Sequence, residues 1–336
     1  MDNDTLLIQL SHGSGGRMMH QLIRDHFVPA FDMKSLHDSA VIDSLPPGRL
    51  AVTTDSYVIS PYFFPGGDIG MLSVCGTVND LAMAGARPLY LTVGFIIEEG
   101  LPFDDLKRIL SSMRAVSEEV GVSIITGDTK VVERGKGDGI FINTAGVGVI
   151  EEGVDISPLN IRPGDKVIVS GSIGNHGISV MAERNGISFE PKLLSDVQPL
   201  HGLVAGMLRE TKKIHVMRDP TRGGLATTLK ELAAASGLGV LINEGSIDIR
   251  PGVRGACDLL GLDPFYIANE GILVAFVDPG EADRLVEAMK KTVPGKNASV
   301  IGEVVETPAQ TVLLKTKIGG IRILDMLSGD QLPRIC

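Results

Sequence analysis

Residues 74–97, VCGTVNDLAMAGARPLYLTVGFII, change rhythm once, and that change decides the class of fold. The first part, VCGTVNDLAMAGARP, reads as a helix closed by Pro88. The second, YLTVGFII, is rich in β-branched and aromatic residues and reads as an apolar strand. Working outward, RLAVTTDSYVIS (49–60) alternates like a strand on the N-terminal side. On the C-terminal side Leu106, Ile109, Leu110, Met113, Val116 and Val120 recur at three and four residues, which predicts an amphipathic helix from Phe103 ending at Gly121. Strands follow at VSIITGDTKVV and IFINTAGVGVI, separated by the polar, glycine-rich ERGKGDG.

The turn PLNIRPGD (158–165) is the natural place to divide the chain, and KVIVSG starts a new strand after it. Beyond it TRGGLATTLKELAAASG reads as a helix, ILVAFVD as a strand and EADRLVEAMKK as an amphipathic helix. Few segments show the strand, crossover helix, strand rhythm of a doubly wound sheet, so the class is α+β. With 336 residues, two domains with separate cores are expected. The boundaries read from the sequence are 1–155, 156–322 and a flexible tail, 323–336. That tail, ending SGDQLPRIC, holds few apolar residues to anchor it and is expected to move freely.

A hydrophobic fraction of 43%, a charged fraction of 21% and 41 glycines describe a folded chain with many tight turns. A net charge of -10 argues against nucleic acid or an anionic membrane as the main partner and suits Mg²⁺ better. No stretch reads as a secretory signal or a membrane span, so a cytoplasmic protein is expected. Cys75, Cys257 and Cys336 are odd in number and far apart, which suggests neither a disulfide framework nor a zinc site. Cys75 and Cys257 read as core residues, whereas packing does not explain Cys336. Its thiolate is disfavoured by the adjacent α-carboxylate and favoured by Arg334.

The chain lacks GxxxxGK[ST], and no GxGxxG opens a helix after a strand. SHGSGG (11–16) offers backbone N–H groups to an anion. Aspartates recur where elements begin or end: Asp38 in HDSAVI, Asp55 in TTDSYV, Asp80 in TVNDLA, Asp128 in TGDTKVV and Asp219 in RDPTRGG. Each alone is as readily a turn or helix cap, but several carboxylates converging from separate elements suit Mg²⁺ bound to a nucleotide. Lys130 and Glu270 are ionisable residues inside apolar or glycine-bounded segments. Burial there would shift their proton affinity towards neutral pH; the alternative is an exposed edge for Lys130 and a turn for Glu270.

The segments SHGSGG, TTDSYV, GTVNDLAMAGARP, TGDTKVV, FINTAGVG, RDPTRGG, ANEG and LPRIC, in this order and at comparable spacing, resemble the HypE family of hydrogenase maturation proteins. That family belongs to the superfamily of aminoimidazole ribonucleotide synthetase, selenophosphate synthetase and thiamine monophosphate kinase. The resemblance implies a two-domain PurM-like fold whose N-terminal domains form a β-barrel at a homodimer interface. It implies ATP contacts from Gly13, Gly15, Gly16, Asp38, Asp55, Asn79, Asp80, Asp128, Asp219 and Thr221, with Mg²⁺ on Asp38, Asp55, Asp80 and Asp128.

By the same resemblance Cys336 receives a carbamoyl group from the carbamoyltransferase HypF. ATP-dependent dehydration gives a thiocyanate, and the cyanide passes to iron on the HypC–HypD complex for a [NiFe] hydrogenase. Lys130 and Glu270 are then expected to stabilise charge and to act as the base. His12 and His176 are expected to make structural polar contacts, and Asn175 stands where many relatives carry an acid. Two other readings stay open: a superfamily enzyme acting on a small molecule, which would not need Cys336, and a non-enzymatic scaffold.

Overall fold

The computed structural model describes residues 6–33, 36, 39–326 and 334–336. Two short helices, α1 (Arg17–Leu22) and α2 (Val28–Phe31), precede β1 (Arg49–Tyr57). A two-strand turn, β2 (Phe63–Phe64) and β3 (Gly67–Asp68), then feeds α3 (Ile69–Met83). Asp68 caps that helix by accepting from the N–H groups of Gly70 and Met71 at 2.8 and 2.9 Å. The elements β4 (Ala86–Glu98), α4 (Phe103–Val120), β5 (Ser123–Val132) and β6 (Ile140–Ile150) complete the first half. Its sheet runs β1-β6-β4-β5, antiparallel except for β4 and β5, which α4 joins as a parallel crossover.

Helix α3 ends at Met83, five residues before the proline expected to close it. Gly85, at φ 75°, turns the chain in the left-handed region, and Pro88 already lies inside β4. The proline is tolerated because it borders a bulge and because β5 pairs with β4 only from Tyr90 onward, so no ladder bond needs the missing N–H. Buried on nearly every side, α3 approaches the sheet where glycines allow it. A Cβ on Gly146 would stand 2.8 Å from Thr77 and 2.9 Å from Leu81.

The second half contains β7 (Lys166–Val169), α5 (Asn175–Arg184), α6 (His201–Glu210), β8 (Ile214–Arg218), α7 (Gly224–Ser236) and β9 (Gly239–Asn243). It continues with α8 (Pro251–Leu260), β10 (Val274–Val277), α9 (Ala282–Met289), β11 (Ser299–Val305), β12 (Val312–Lys315) and β13 (Ile321–Leu324). The seven strands run β13-β12-β9-β11-β7-β10-β8. Successive residues of β10 face opposite layers: Val274 and Phe276 join an apolar cluster with α5, α7 and α8, Ala275 and Val277 one with α6 and α9. Strand β13 carries this sheet to Leu324, which is buried, so the sheet extends into the stretch expected to be tail.

Among the described residues the first sheet is covered on one face only. Tyr57, Val93 and Phe95 pack on the α3 and α4 side, whereas Val52 (72% exposed) and Ile96 (46%) face out. No helix among the described residues is long and apolar enough to cross a membrane.

Candidate active site

Four carboxylates from separate elements meet where the two sheets adjoin. Asp55 lies on β1, on the face covered by α3, and Asp80 near the end of α3 accepts a hydrogen bond from Thr53 Oγ1 at 2.9 Å. Asp219 follows β8 in a turn closed by the Thr221 N–H at 3.0 Å, and Glu270 precedes β10. Glu270 is 4% exposed, and its Oε1 is buried without a hydrogen-bond partner. Burial, with the negative charges of Asp219, Asp196, Asp55 and Asp80, pushes its carboxyl well above the ordinary glutamate value. Burial and then Asp80 push Asp219 up to about 7, and burial and then Asp55 raise Asp80.

Asp196, which nothing in its own segment singles out, holds the loop that carries Glu270. Its Oδ2 accepts from the N–H groups of Glu270 and Gly271 at 3.3 and 3.2 Å, its Oδ1 is buried and unpartnered, and burial pushes it up to about 6. Asn269 is a second residue missed from sequence, although the ANEG motif contains it. Its Oδ1 accepts from Gly174 N–H at 2.6 Å and its Nδ2 donates to the Pro220 carbonyl at 2.8 Å, joining the GNHG, RDPT and ANEG turns. Only its place inside a quoted motif was a signal, because its partners lie 95 and 49 residues away.

The raised carboxyls make a stability prediction with a definite sign. Asp219 and Asp196 keep their protons to higher pH folded than unfolded, so their contribution is full below the unfolded value and is lost as pH rises through the folded ones. In nucleotide-free, metal-free protein these two groups should therefore favour folding at about pH 5.5 over about pH 8 by on the order of 2 kcal/mol, while His176, buried neutral, acts in the opposite direction. Asp219→Asn should remove most of that difference. Chemical denaturation at the two pH values checks this, and identical slopes in wild type and variant would refute it.

Asp128 and Lys130 are not part of this cluster within one chain. Strands β1 and β5 are opposite edges of the four-stranded sheet, roughly 14 Å apart at ordinary strand spacing. Asp128 and Lys130 share the open face with Ile96, and the Lys130 ammonium contacts both Asp128 oxygens at 2.6 Å, holding that carboxyl below its ordinary value. Lys130 is thus an exposed edge residue paired with Asp128. Asp38 lies outside the described residues.

Asn79 is committed to the protein itself: Oδ1 accepts from Leu200 N–H at 2.7 Å, and Nδ2 donates to the Gln198 carbonyl at 3.1 Å. Gly13 packs against β5, where a Cβ would stand 2.6 Å from Val131 N, while Gly15 and Gly16 stay open. His12 accepts from Gln9 N–H at 2.9 Å and lies edge-on to Phe103, a structural contact as expected. Asn175 donates to Ser172 at the start of α5. Thr221 stands half-buried before α7, whose first turn is led by Gly223 and Gly224 at φ 74° and 61°.

The largest departure concerns the end of the stretch expected to be a free arm: residues 327–333 lie outside the described residues, and residues 334–336 are held in place. Ile335 is 3% exposed and shares an apolar cluster with Ala268, two residues before Glu270. Val58 N–H donates to the main-chain oxygen of Cys336 at 3.2 Å, His176 Nε2 to the carbonyl of Ile335 at 2.7 Å and Arg184 to that of Arg334 at 2.6 Å. Arg334, at φ 55°, forms an ion pair with Asp138. One apolar side chain, main-chain N–H groups of the first half and side-chain donors of the second therefore hold the tip, although its neighbours in sequence are polar.

Among the described residues no three His, Cys, Asp or Glu side chains are grouped so as to hold a metal ion. The carboxyls of the cluster are crowded and retain protons, and a hard cation that takes most of its ligands from phosphates and water would relieve that crowding.

Residues 36–150 match the N-terminal domain of AIR synthase related proteins and residues 162–315 the C-terminal domain. A carbamoyl dehydratase HypE from Azotobacter vinelandii is 54% identical over 332 residues, covering 98% of this chain and 97% of that one. A crystal structure of hydrogenase maturation protein HypE in complex with ATP superposes with a TM-score of 0.94 at 46% identity, covering 98% of this chain and 99% of that one. A HypE–HypF complex gives 0.81 at 46% identity, covering 91% and 99%. With both domain models matched in order and such identity along nearly the whole chain, this protein belongs to the HypE family of the AIR synthase related proteins.

Proposed function

We propose that this chain is an ATP-dependent carbamoyl dehydratase of [NiFe] hydrogenase maturation, with Cys336 as the carrier of the group it dehydrates. The observation that supports this reading best is the burial of Ile335, next to Cys336, in the apolar cluster that also holds Ala268 of the loop carrying Glu270, a buried carboxyl with one oxygen unpartnered. A carboxyl with raised proton affinity in a dry site suits the removal of a proton from a weakly acidic amide nitrogen.

The reaction balances as follows. The carbamoyl oxygen on Cys336 sulfur attacks the γ-phosphorus of ATP and releases ADP, because a bare amide oxygen is a poor leaving group. Glu270 takes a proton from nitrogen, the C–O bond breaks with loss of phosphate, and the second N–H proton leaves to give the S-cyanate. Asp55, Asp80 and Asp219 would each offer a carboxylate oxygen to Mg²⁺ that takes its other ligands from phosphates and water, and that charge would neutralise the phosphates when bound. Asp196 and Asn269 fix the Glu270 loop.

HypF as carbamoyl donor and HypC–HypD as cyanide acceptor are the proposed partners. A homodimer is proposed as well, closed through the open face of the first sheet into a barrel. The exposed Val52 and Ile96 support that, and the closure gives Asp128 and Lys130 a route to a nucleotide site that they lack in one chain.

The test is intact-mass analysis after incubation with ATP, Mg²⁺, carbamoyl phosphate and HypF. The chain should gain one carbamoyl group and then lose one water in an ATP-dependent step. Carbamoylation without any loss of water would reduce the protein to a carrier.

A further inference from the structure

We propose that His176 is a positioning residue for the Cys336 thiol, a main-chain latch whose Nε2–H holds the Ile335 carbonyl and so fixes the direction in which Cys336 leaves the seated segment. The proposal rests on the carrier role given to Cys336 above.

His176 is fully buried in the first turn of α5, with its ring edge-on to Phe64 at 5.4 Å. A carbonyl oxygen can only accept, so at 2.7 Å from Ile335 O it is Nε2 that carries the proton. The Nδ1 lone pair then accepts from the Ser195 hydroxyl at 2.8 Å. Ser195 Oγ itself accepts from Val197 N–H at 3.1 Å, which leaves its own proton for the ring. Burial lowers the imidazole to about 4, so the ring is neutral and this relay fixes its tautomer. A histidine that only filled space would need no partner to set its proton.

Eight residues along the same helix, two turns on, Arg184 takes the Arg334 carbonyl, so α5 reads the segment as a rail reads a strip of backbone. The ring fixes the carbonyl immediately before Cys336, while the Ile335 side chain is locked in the cluster that contains Ala268. Together these two anchors orient the last peptide plane and hence the Cα–Cβ bond of Cys336. A carrier that must be loaded outside and react inside needs a seat of modest strength, and a neutral hydrogen bond of this kind is worth about tenfold in occupancy.

Two variants separate donor from packing. His176→Leu keeps an apolar body against Phe64 and loses the donor; His176→Gln keeps an amide N–H near the position of Nε2. The first readout is the iodoacetamide alkylation rate of Cys336, followed by intact mass without nucleotide. Cys75 and Cys257 are buried, with thiols pushed up by burial, and react slowly. Alkylation should be about tenfold faster in His176→Leu and within about threefold of wild type in His176→Gln. The second readout is single-turnover dehydration of pre-carbamoylated protein, expected to slow about tenfold in His176→Leu with ATP affinity unchanged.

Equal alkylation in wild type and His176→Leu, or His176→Gln as exposed as His176→Leu, would overturn the latch even if dehydration proceeds normally. Faster alkylation in His176→Leu, in a protein that HypF never carbamoylates, would support the latch while removing the carrier reading. Should His176→Leu fail to fold, Ser195→Ala frees the ring proton to move to Nδ1 and should speed alkylation about threefold. An unchanged rate there would overturn the proposal.

Discussion

Replacing Glu270 by Gln is expected to leave the carbamoyl group on Cys336 intact while dehydration slows at least about 100-fold, the ordinary contribution of a positioned base. The substitution preserves shape and one acceptor oxygen, so ATP affinity should stay within about threefold of wild type. The variant should also melt at a higher temperature. Glu270 sits buried among Asp219, Asp196, Asp55 and Asp80, and removing one member of a like-charged group relieves repulsion. Lost chemistry combined with gained stability is hard to obtain from a residue that merely supports the fold. In wild type the dehydration rate should fall as pH falls through the raised value of this carboxyl, because only its ionised form is a base. Single-turnover mass measurements on pre-carbamoylated protein decide the matter, and a Gln variant dehydrating within about threefold of wild type would remove Glu270 from the role of base.

Cys336→Ala should abolish loading altogether. Cys75 and Cys257 cannot substitute, since both are buried and burial pushes their thiols above the ordinary range. The cost in stability should stay below about 1 kcal/mol, as the half-buried side chain gives up only one sulfur atom and Val58 still binds the main-chain oxygen of residue 336. Nucleotide binding should be unaffected. The check is intact mass under conditions that load wild type completely. A carbamoylated Cys336→Ala chain would show the carrier to be elsewhere.

How much of this was legible in the sequence depends on whether the information was local. Helix α4 was readable because its apolar stripe and Gly121 lie in one window, and that glycine does adopt the left-handed C-cap conformation at φ 73°. β1 was readable from its alternation. The end of α3 was not, because Pro88 is a strong local stop signal whose effect is cancelled by a bulge and by where β5 begins to pair. Asp55, Asp80, Asp219 and Glu270 could be named individually, but the segments that carry them give no face. For Asp128 the register between β4 and β5 had to be known before it could be placed on the open side of the sheet. Asp196 and His176 act through partners 74 and 159 residues distant, a separation at which no motif is visible. The tip is not legible because what holds residues 334–336 is one buried isoleucine and donors borrowed from residues 58, 176 and 184, none of them visible in the polar composition nearby.

The carboxylates are divided between the halves: Asp55 and Asp80 belong to the first sheet and its helix, Asp219 and Glu270 to turns of the second. Neither half can therefore be inherited, lost or exchanged alone with its chemistry intact. A recombination breakpoint between β6 and β7 would deliver well-formed sheets whose acids answer to a stranger's geometry.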